Sequence, residues 1–243
     1  MRPKTAFLLV LASLGALVGG CGGGEEEVPA PPAPNPSPTT EETPAISLPA
    51  PRLKGEMTLE EAILKRRSRR DFEDSPLTLA EISQIVWAAQ GITDETGLRA
   101  APSAGALYPL ELYLVVGERG VEGLGEGVYH YFPQSHSLEP ILEGDVRQTL
   151  ARLSLQQMSI AEAPLSLLIT AEYERTTKKY GDRGVRYVHM EAGHAGQNVY
   201  LQAEALGLGT VTIGAFQDEE IAQALALPPS YRPLYLMPIG HPE

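Results

Sequence analysis

Prolines at 29, 31, 32, 34, 36, 38, 44, 49 and 51 decide where this chain can fold. With Gly22-Gly23-Gly24 and Glu25-Glu26-Glu27 they give residues 22–54 few apolar side chains. Proline fixes φ and removes a backbone donor, so such a tract stays extended at about 3.1 Å per residue. Residues 21–53 therefore read as a tether, and a packed core has to come from residues 54–243. The chain has 243 residues, 43% hydrophobic and 21% charged, which suffices for one sizeable core in that remainder.

Ahead of the tether, Arg2 and Lys4 precede an apolar run over 6–18, too short to span a bilayer as a helix, and then Val18-Gly19-Gly20-Cys21. Residues 1–20 read as a secretory signal. They resemble a bacterial lipoprotein signal, in which the cysteine becomes the acylated first residue of the mature chain. Cys21 is the only cysteine, so no disulfide can form within the chain, and the thiol is assigned to lipid. The expected location is the bacterial cell envelope, lipid-anchored to a membrane, with the domain outside the cytoplasm. A formal net charge of −12 excludes nucleic acid and anionic surfaces as partners of the general field.

Against that acidity stands Lys65-Arg66-Arg67-Ser68-Arg69-Arg70. Thr58 and Glu61 make a capping box, Leu59, Ala62 and Ile63 an apolar stripe, and the basic run is expected on the last turn of the resulting helix. Cations suit that end of the helix dipole, but four arginines exceed the need. With the Ser68 hydroxyl among them they suit a phosphate monoester, which guanidinium forks bind bidentately; the alternative is a solvated basic face.

Thr78 and Glu81 make a second capping box, with Ile82, Ile85, Val86 and Ala89 at helical spacing up to Gly91. Residues 93–105 lack periodicity and end in Pro102-Ser103-Ala104-Gly105, small residues that let a flat ligand approach the backbone. Strands are expected over 112–116, 165–171, 211–213 and 234–239, and a hairpin over 128–141. Helices are expected after Asp145, over 183–206, and capped by Asp218. Small residues in the 183–206 helix leave room for a second helix to pack closely. Interleaved strands and helices with a hairpin make the domain α+β with a mixed sheet.

Several motifs fail. Gly123-Leu124-Gly125 and Gly207-Leu208-Gly209 lack the strand, turn, helix order of a dinucleotide loop, and no serine has a nucleophile elbow. His189 and His194 are five apart and cannot share a zinc on one helix, so no metal is expected. His194 and Glu191 share a face and are expected to pair.

The basic run with its serine, the Pro102-Ser103-Ala104-Gly105 loop leading to Tyr108-Pro109-Leu110-Glu111, and Gly207-Leu208-Gly209 with Ile213-Gly214-Ala215-Phe216 together resemble the nitroreductase family of FMN-dependent oxidoreductases. Within it the chain is most similar to the SagB/ThcOx-type dehydrogenases of azole-containing peptide biosynthesis. The resemblance runs from about Leu59 to the last residue. It implies a largely antiparallel sheet flanked by helices in a homodimer, with FMN at the subunit interface. Arg66, Arg67, Ser68 and Arg70 would contact phosphate and ribityl; Pro102, Ser103, Ala104 and Gly105 would approach the ring; backbone amides at Ile213, Gly214 and Ala215 would face N5. Gln197-Asn198 matches a recurrent family position. Many members continue past the equivalent of Gly240-His241-Pro242-Glu243 into an arm with another basic phosphate ligand, so here the N-terminal arginines are expected to suffice. Lys179 and Tyr180, in the segment before the long helix, resemble the pair that removes a proton in azoline-oxidising members; the alternative is two solvated loop residues. The expected activity is SagB-like dehydrogenation of a peptide or small molecule. The alternatives are NAD(P)H-dependent reduction of quinones or nitro compounds, or a non-catalytic flavin-binding lipoprotein.

Overall fold

The computed structural model describes residues 44–243. The signal segment 1–20, Cys21 and the tether up to 43 lie outside the described residues. The elements are β1 (Ile46–Ser47), α1 (Leu59–Lys65), α2 (Leu79–Gln90), β2 (Leu110–Val116), β3 (Gly127–Phe132), β4 (Ser137–Glu143), α3 (Arg147–Leu153), α4 (Ser159–Glu162), β5 (Leu165–Glu172), α5 (Glu174–Tyr180), α6 (Arg183–Ala205), β6 (Gly209–Thr210), α7 (Asp218–Ala224) and β7 (Tyr231–Gly240). The strands form one sheet in the order β1-β4-β3-β2-β5-β7-β6, each neighbouring pair antiparallel. The α+β class and the β3–β4 hairpin agree with the sequence. Parallel pairing is confined, among the described residues, to single bridges such as Ser68 with Thr210.

Successive side chains of a strand face opposite sides, so a strand apolar at every position must be covered twice. β2 is such a strand. Leu112, Leu114 and Val116 pack with α2 and α6, while Tyr113 and Val115 pack with α3, α4 and α7 on the other face. Each such side chain contributes about 1.5–3 kcal/mol on full burial.

Both capping boxes form. Thr58 Oγ1 accepts from the Glu61 N–H at 3.2 Å and Thr78 Oγ1 from that of Glu81 at 3.3 Å, each glutamate returning the bond. Three local expectations change. α1 ends at Lys65 with Arg66 as its extended cap, so the basic run leaves the helix instead of forming its last turn. Pairing with β6 replaces helical bonding there: Ser68 bridges Thr210, and the Arg69 N–H donates to the Thr210 carbonyl at 2.9 Å. Of the α1 stripe only Ala62 is buried; Leu59 and Ile63 are 60% and 55% exposed. Finally, Lys179 and Tyr180 sit on α5, not in a loop.

The packed chain also begins earlier than residue 54. Ile46 and Ser47 pair with Leu138 and Ser137, and Leu48 is buried. Beyond them, Ser83 Oγ donates to the Pro49 carbonyl at 2.5 Å, and the Arg52 N–H donates to Gln84 Oε1 at 2.8 Å. His136 completes this lock, its Nδ1 2.9 Å from Tyr131 Oη and its Nε2 2.7 Å from Ser83 Oγ. Prolines 49 and 51 are compatible with it because they follow the two-residue edge strand, where the sheet needs no donor. A chain starting at Lys54 should therefore be less stable than one starting at Pro44 by roughly 2 kcal/mol, about 4–8 °C in Tm. Thermal unfolding of the two checks this; equal Tm values would show that residues 46–52 contribute nothing.

Candidate functional site

The basic run is built around Tyr200 on α6. Its phenol lies 3.0 Å from Ser68 Oγ and accepts the Thr212 N–H at 2.8 Å, while the Arg66 guanidinium lies over its ring at 5.2 Å. Burial pushes the Tyr200 phenol up, but Ser68, the Thr212 amide and the Arg66 charge outweigh it and bring it below its ordinary value. Tyr200 thus fixes Ser68 and Arg66 beside the start of the 213–215 loop. Arg67 turns away, its Nη1 donating to the carbonyls of Leu64 and Arg66 at 2.9 and 2.8 Å, so it closes α1 and not the anion site. Arg70 is exposed. In the 213–215 loop the Ile213 N–H is spent on the Leu236 carbonyl at 2.9 Å, which removes it from the expected amide set. Gly214 and Ala215 are exposed and donate no backbone bond among the described residues.

The Pro102-Ser103-Ala104-Gly105 stretch is held under strain. Gly105, Ala106 and Tyr108 have φ of +66°, +53° and +45°, and left-handed conformations of non-glycine residues cost of order 1–3 kcal/mol each. Four contacts impose them. Ser103 Oγ accepts the Tyr108 N–H at 2.9 Å, the Arg99 N–H donates to Tyr108 Oη at 3.2 Å, the Arg99 guanidinium covers the Tyr108 ring at 4.6 Å, and Arg175 Nη1 donates to the Tyr108 carbonyl at 3.1 Å. Gly105 has a second constraint: a Cβ there would lie 2.7 Å from Tyr180 Oη and 2.9 Å from Lys179 Nζ. The two suspected catalytic side chains thus converge on the small-residue loop, with Lys179 exposed and Tyr180 half-buried.

Arg175, on the same short helix as that pair, anchors it. Its guanidinium reaches Glu111 at 2.5 Å and Glu172 at 2.6 Å, and Glu111 also meets His130 Nε2 at 2.8 Å. Burial pushes the Glu111 carboxyl up, but His130 and Arg175 prevail and hold it below the usual carboxylate range. Sequence reasoning missed Tyr200 and the pairing of Arg175 with Glu111, because Tyr200 meets Ser68, and Arg175 meets Glu111, across long stretches of chain. It also paired Glu191 wrongly: Glu191 is buried at 2% exposure whereas His194 faces solvent. Asn198 donates to the Ala88 carbonyl at 3.0 Å and so joins α6 to α2.

Ser68 meets α6 at Tyr200, and Ser103 faces it at Glu191. Nine residues separate these positions, about 14 Å along the helix axis at 1.5 Å per residue. The basic run and the 213–215 amides form one cluster; the small-residue loop with Lys179 and Tyr180 forms another. The inventory fits a flavin mononucleotide: an exposed arginine and serine for a phosphate, a small-residue loop for a ring, and exposed amides at Gly214 and Ala215.

Residues 63–241 match the sequence profile of the nitroreductase family. The nitroreductase candidate MJ1384 of Methanocaldococcus jannaschii is 56% identical over 185 residues, 76% of this chain and 91% of that protein. The microcin B17-processing protein McbC of Escherichia coli is 30% identical over 159 residues, 64% of this chain and 58% of McbC. An FMN reductase (NADPH) of Bacillus subtilis is 28% identical, covering 75% of this chain and 65% of that enzyme. Among solved structures, a nitroreductase candidate from Ralstonia eutropha superposes with a TM-score of 0.72 at 28% identity, covering 82% of this chain and 90% of that one.

Removing Arg175 would leave Glu111 with His130 alone. Arg175→Ala should cost about 3 kcal/mol in urea unfolding at neutral pH, the low end for a partly buried pair. A depressed folded-state carboxyl stabilises above the unfolded value, near ~4.3, and that stability is lost as pH falls through the folded value. In Arg175→Ala the acid loss should therefore begin at higher pH than in the wild type. Superimposable acid-unfolding curves would show that Arg175 does not hold Glu111 ionised.

Proposed function

This chain belongs to the nitroreductase family and is an FMN-dependent oxidoreductase, and we propose that it is an azoline-oxidising, SagB-type dehydrogenase working as a membrane-tethered homodimer. The observation that carries this reading is the convergence of Lys179 Nζ and Tyr180 Oη on Gly105. FMN, when bound, supplies the hydride chemistry. Oxidising a thiazoline or oxazoline breaks two C–H bonds, one yielding hydride and the other a proton that needs a positioned base. Lys179 takes that proton, and Tyr180 serves as its hydrogen-bond partner. Arg66, Ser68 and Arg70 would hold the FMN phosphate, Pro102 to Gly105 would support its ring, and the Gly214 and Ala215 amides would be free to donate to it. The 30% identity to McbC supports a peptide substrate.

Assembly of two chains answers two features of one. It joins the clusters that lie apart along α6, and it covers exposed apolar side chains at both ends of α6: Leu59, Ile63 and Leu64 on α1, and Val185 and Met190 on α6, 39% to 71% exposed. Lipid on Cys21 would hold the dimer at the envelope membrane. Light scattering should give twice the monomer mass, and Cys21→Ser should move the protein from membranes to the soluble fraction. A flavin-loaded monomer, or a Cys21→Ser protein that still sediments with membranes, would rule out the respective half of this assembly.

A second reading, NAD(P)H-dependent reduction of quinones or nitro compounds, is favoured by a cavity of about 380 Å³ beside Gly214, lined by Tyr173, His189, Phe216 and Arg232. It needs no base at Lys179. The two readings separate on Lys179→Ala and Tyr180→Phe, compared at equal flavin content on an azoline peptide and on a quinone with NAD(P)H. An Arg66→Ala/Arg70→Ala variant, expected to lose most of its flavin, serves as the control. Turnover lost on the azoline alone, by about 10²–10⁴-fold, is the expected result; unchanged azoline turnover removes both residues from the mechanism.

A further inference from the structure

The N-terminal strap, residues 46–52, is fastened at one imidazole. His136 lies in the turn between β3 and β4 with φ of +47°, a left-handed conformation held against strain. Its carbonyl accepts the Leu48 N–H at 3.0 Å. Its ring is bonded on both sides: Nδ1 lies 2.9 Å from Tyr131 Oη of β3, and Nε2 lies 2.7 Å from Ser83 Oγ of α2 and 3.1 Å from the Pro49 carbonyl of the strap. These bonds admit one protonation state. Ser83 Oγ spends its hydrogen on the Pro49 carbonyl at 2.5 Å, so Nε2 carries a hydrogen and donates toward Ser83 and Pro49. Tyr131 is 1% exposed and its hydroxyl has no partner but Nδ1 among the described residues, so the phenol hydrogen goes to a bare Nδ1. A neutral ring thus satisfies every group. An imidazolium would turn a second N–H against the Tyr131 O–H and leave a buried hydrogen without an acceptor.

No carboxylate offsets that charge. Among the described residues the histidines paired with carboxylates are His130 and His241, and the charge that reaches this cluster is the Arg99 cation acting on Tyr131. Burial holds the His136 ring below the ordinary histidine value, the Pro49 carbonyl opposing it. The strap then continues into Arg52, whose N–H donates to Gln84 Oε1 at 2.8 Å and whose carbonyl accepts Gln84 Nε2 at 3.1 Å. From there residues 52–59 wall a cavity of about 850 Å³ that Trp87 of α2 and Leu201 of α6 also line. We propose that His136 is an acid-released latch: its protonation undocks residues 46–52 from the sheet and α2, and with them the 52–59 wall of that cavity. Neither the latch nor its readout involves the flavin, so the device stands apart from the proposed reaction. The sign follows from the two states of the strap. Undocked, the ring titrates near ~6.5, and docked it titrates lower. Docking is therefore at full strength above about pH 6.5 and weakens as pH falls below it.

The test is amide hydrogen exchange of the purified full-length protein from about pH 8 to about pH 5, corrected for intrinsic rates. The Leu48 amide reports the strap and the Arg52 amide the start of the cavity wall. Both should keep constant protection down to about pH 6.5 and then lose about tenfold for each further unit, while Leu114 in β2 stays protected. His136→Asn, which suits the left-handed turn and does not titrate in this range, should show protection that is independent of pH. Constant protection of Leu48 in the wild type, or a pH dependence that survives in His136→Asn, overturns the proposal. A parallel loss at Leu114 overturns it too, because the transition is then global unfolding, and a response at Leu48 that stops short of Arg52 overturns the opening of the cavity. Should His136→Asn fail to fold, Tyr131→Phe decides. Without the phenol hydrogen the charged ring is opposed less, so the total loss of protection between the same limits should shrink; a loss equal to that of the wild type overturns the latch.

Discussion

Everything placed in the candidate site hangs on the burial of α6 against the sheet and α2. Its inner face is mostly small: Ala192, Ala195, Gly196 and Ala203 are buried there beside Val188, Glu191 and Val199. Small residues let helices approach closely. The Asn198 amide, donating to the Ala88 carbonyl of α2, then fixes the rotation. With axis and rotation set, Glu191 and Tyr200 necessarily point at two different loops. The separation of the two ligand clusters is thus a property of helix geometry.

The loop above Glu191 shows how a strained backbone is maintained. The four contacts to Tyr108, from Ser103, Arg99 and Arg175, act on different groups of that residue: its N–H, its hydroxyl, its ring and its carbonyl. No one of them determines the conformation, but together they do. Arg175 extends the constraint to α5, so that the position of Lys179 and the shape of the loop it approaches are set by one guanidinium and its carboxylates.

Much of this was legible in the sequence wherever the determinant was local. The capping boxes at Thr58 and Thr78, the apolar run of β2 and the small residues of α6 each dictate their element through contacts within a few residues, and each formed. What escaped was non-local. The basic run left its helix because a partner strand just over 140 positions later offered Thr210. Ile213 lost its free amide to Leu236 for the same kind of reason. Glu191 and His194 have the spacing of a pair, yet helical spacing says nothing about which of the two faces the core. The tether boundary was misplaced because proline content reports backbone freedom, while Ile46 and Leu48 had already supplied an edge strand and a buried side chain.

The lock at residues 46–52 has a mechanical meaning. β1 and β6 are the opposite edges of the sheet, and β1 is a pair of residues joined to β4 laterally. A pull applied at Pro44 loads those bonds one after another, as in opening a zipper, which needs far less force than shearing them together. The contacts of Pro49 with Ser83 and of Arg52 with Gln84 are next in line. Only when they have parted does tension reach α1 and the arginines that follow it. Residues 46–52 would thus part first under such a load, while the opposite edge of the sheet stays unloaded.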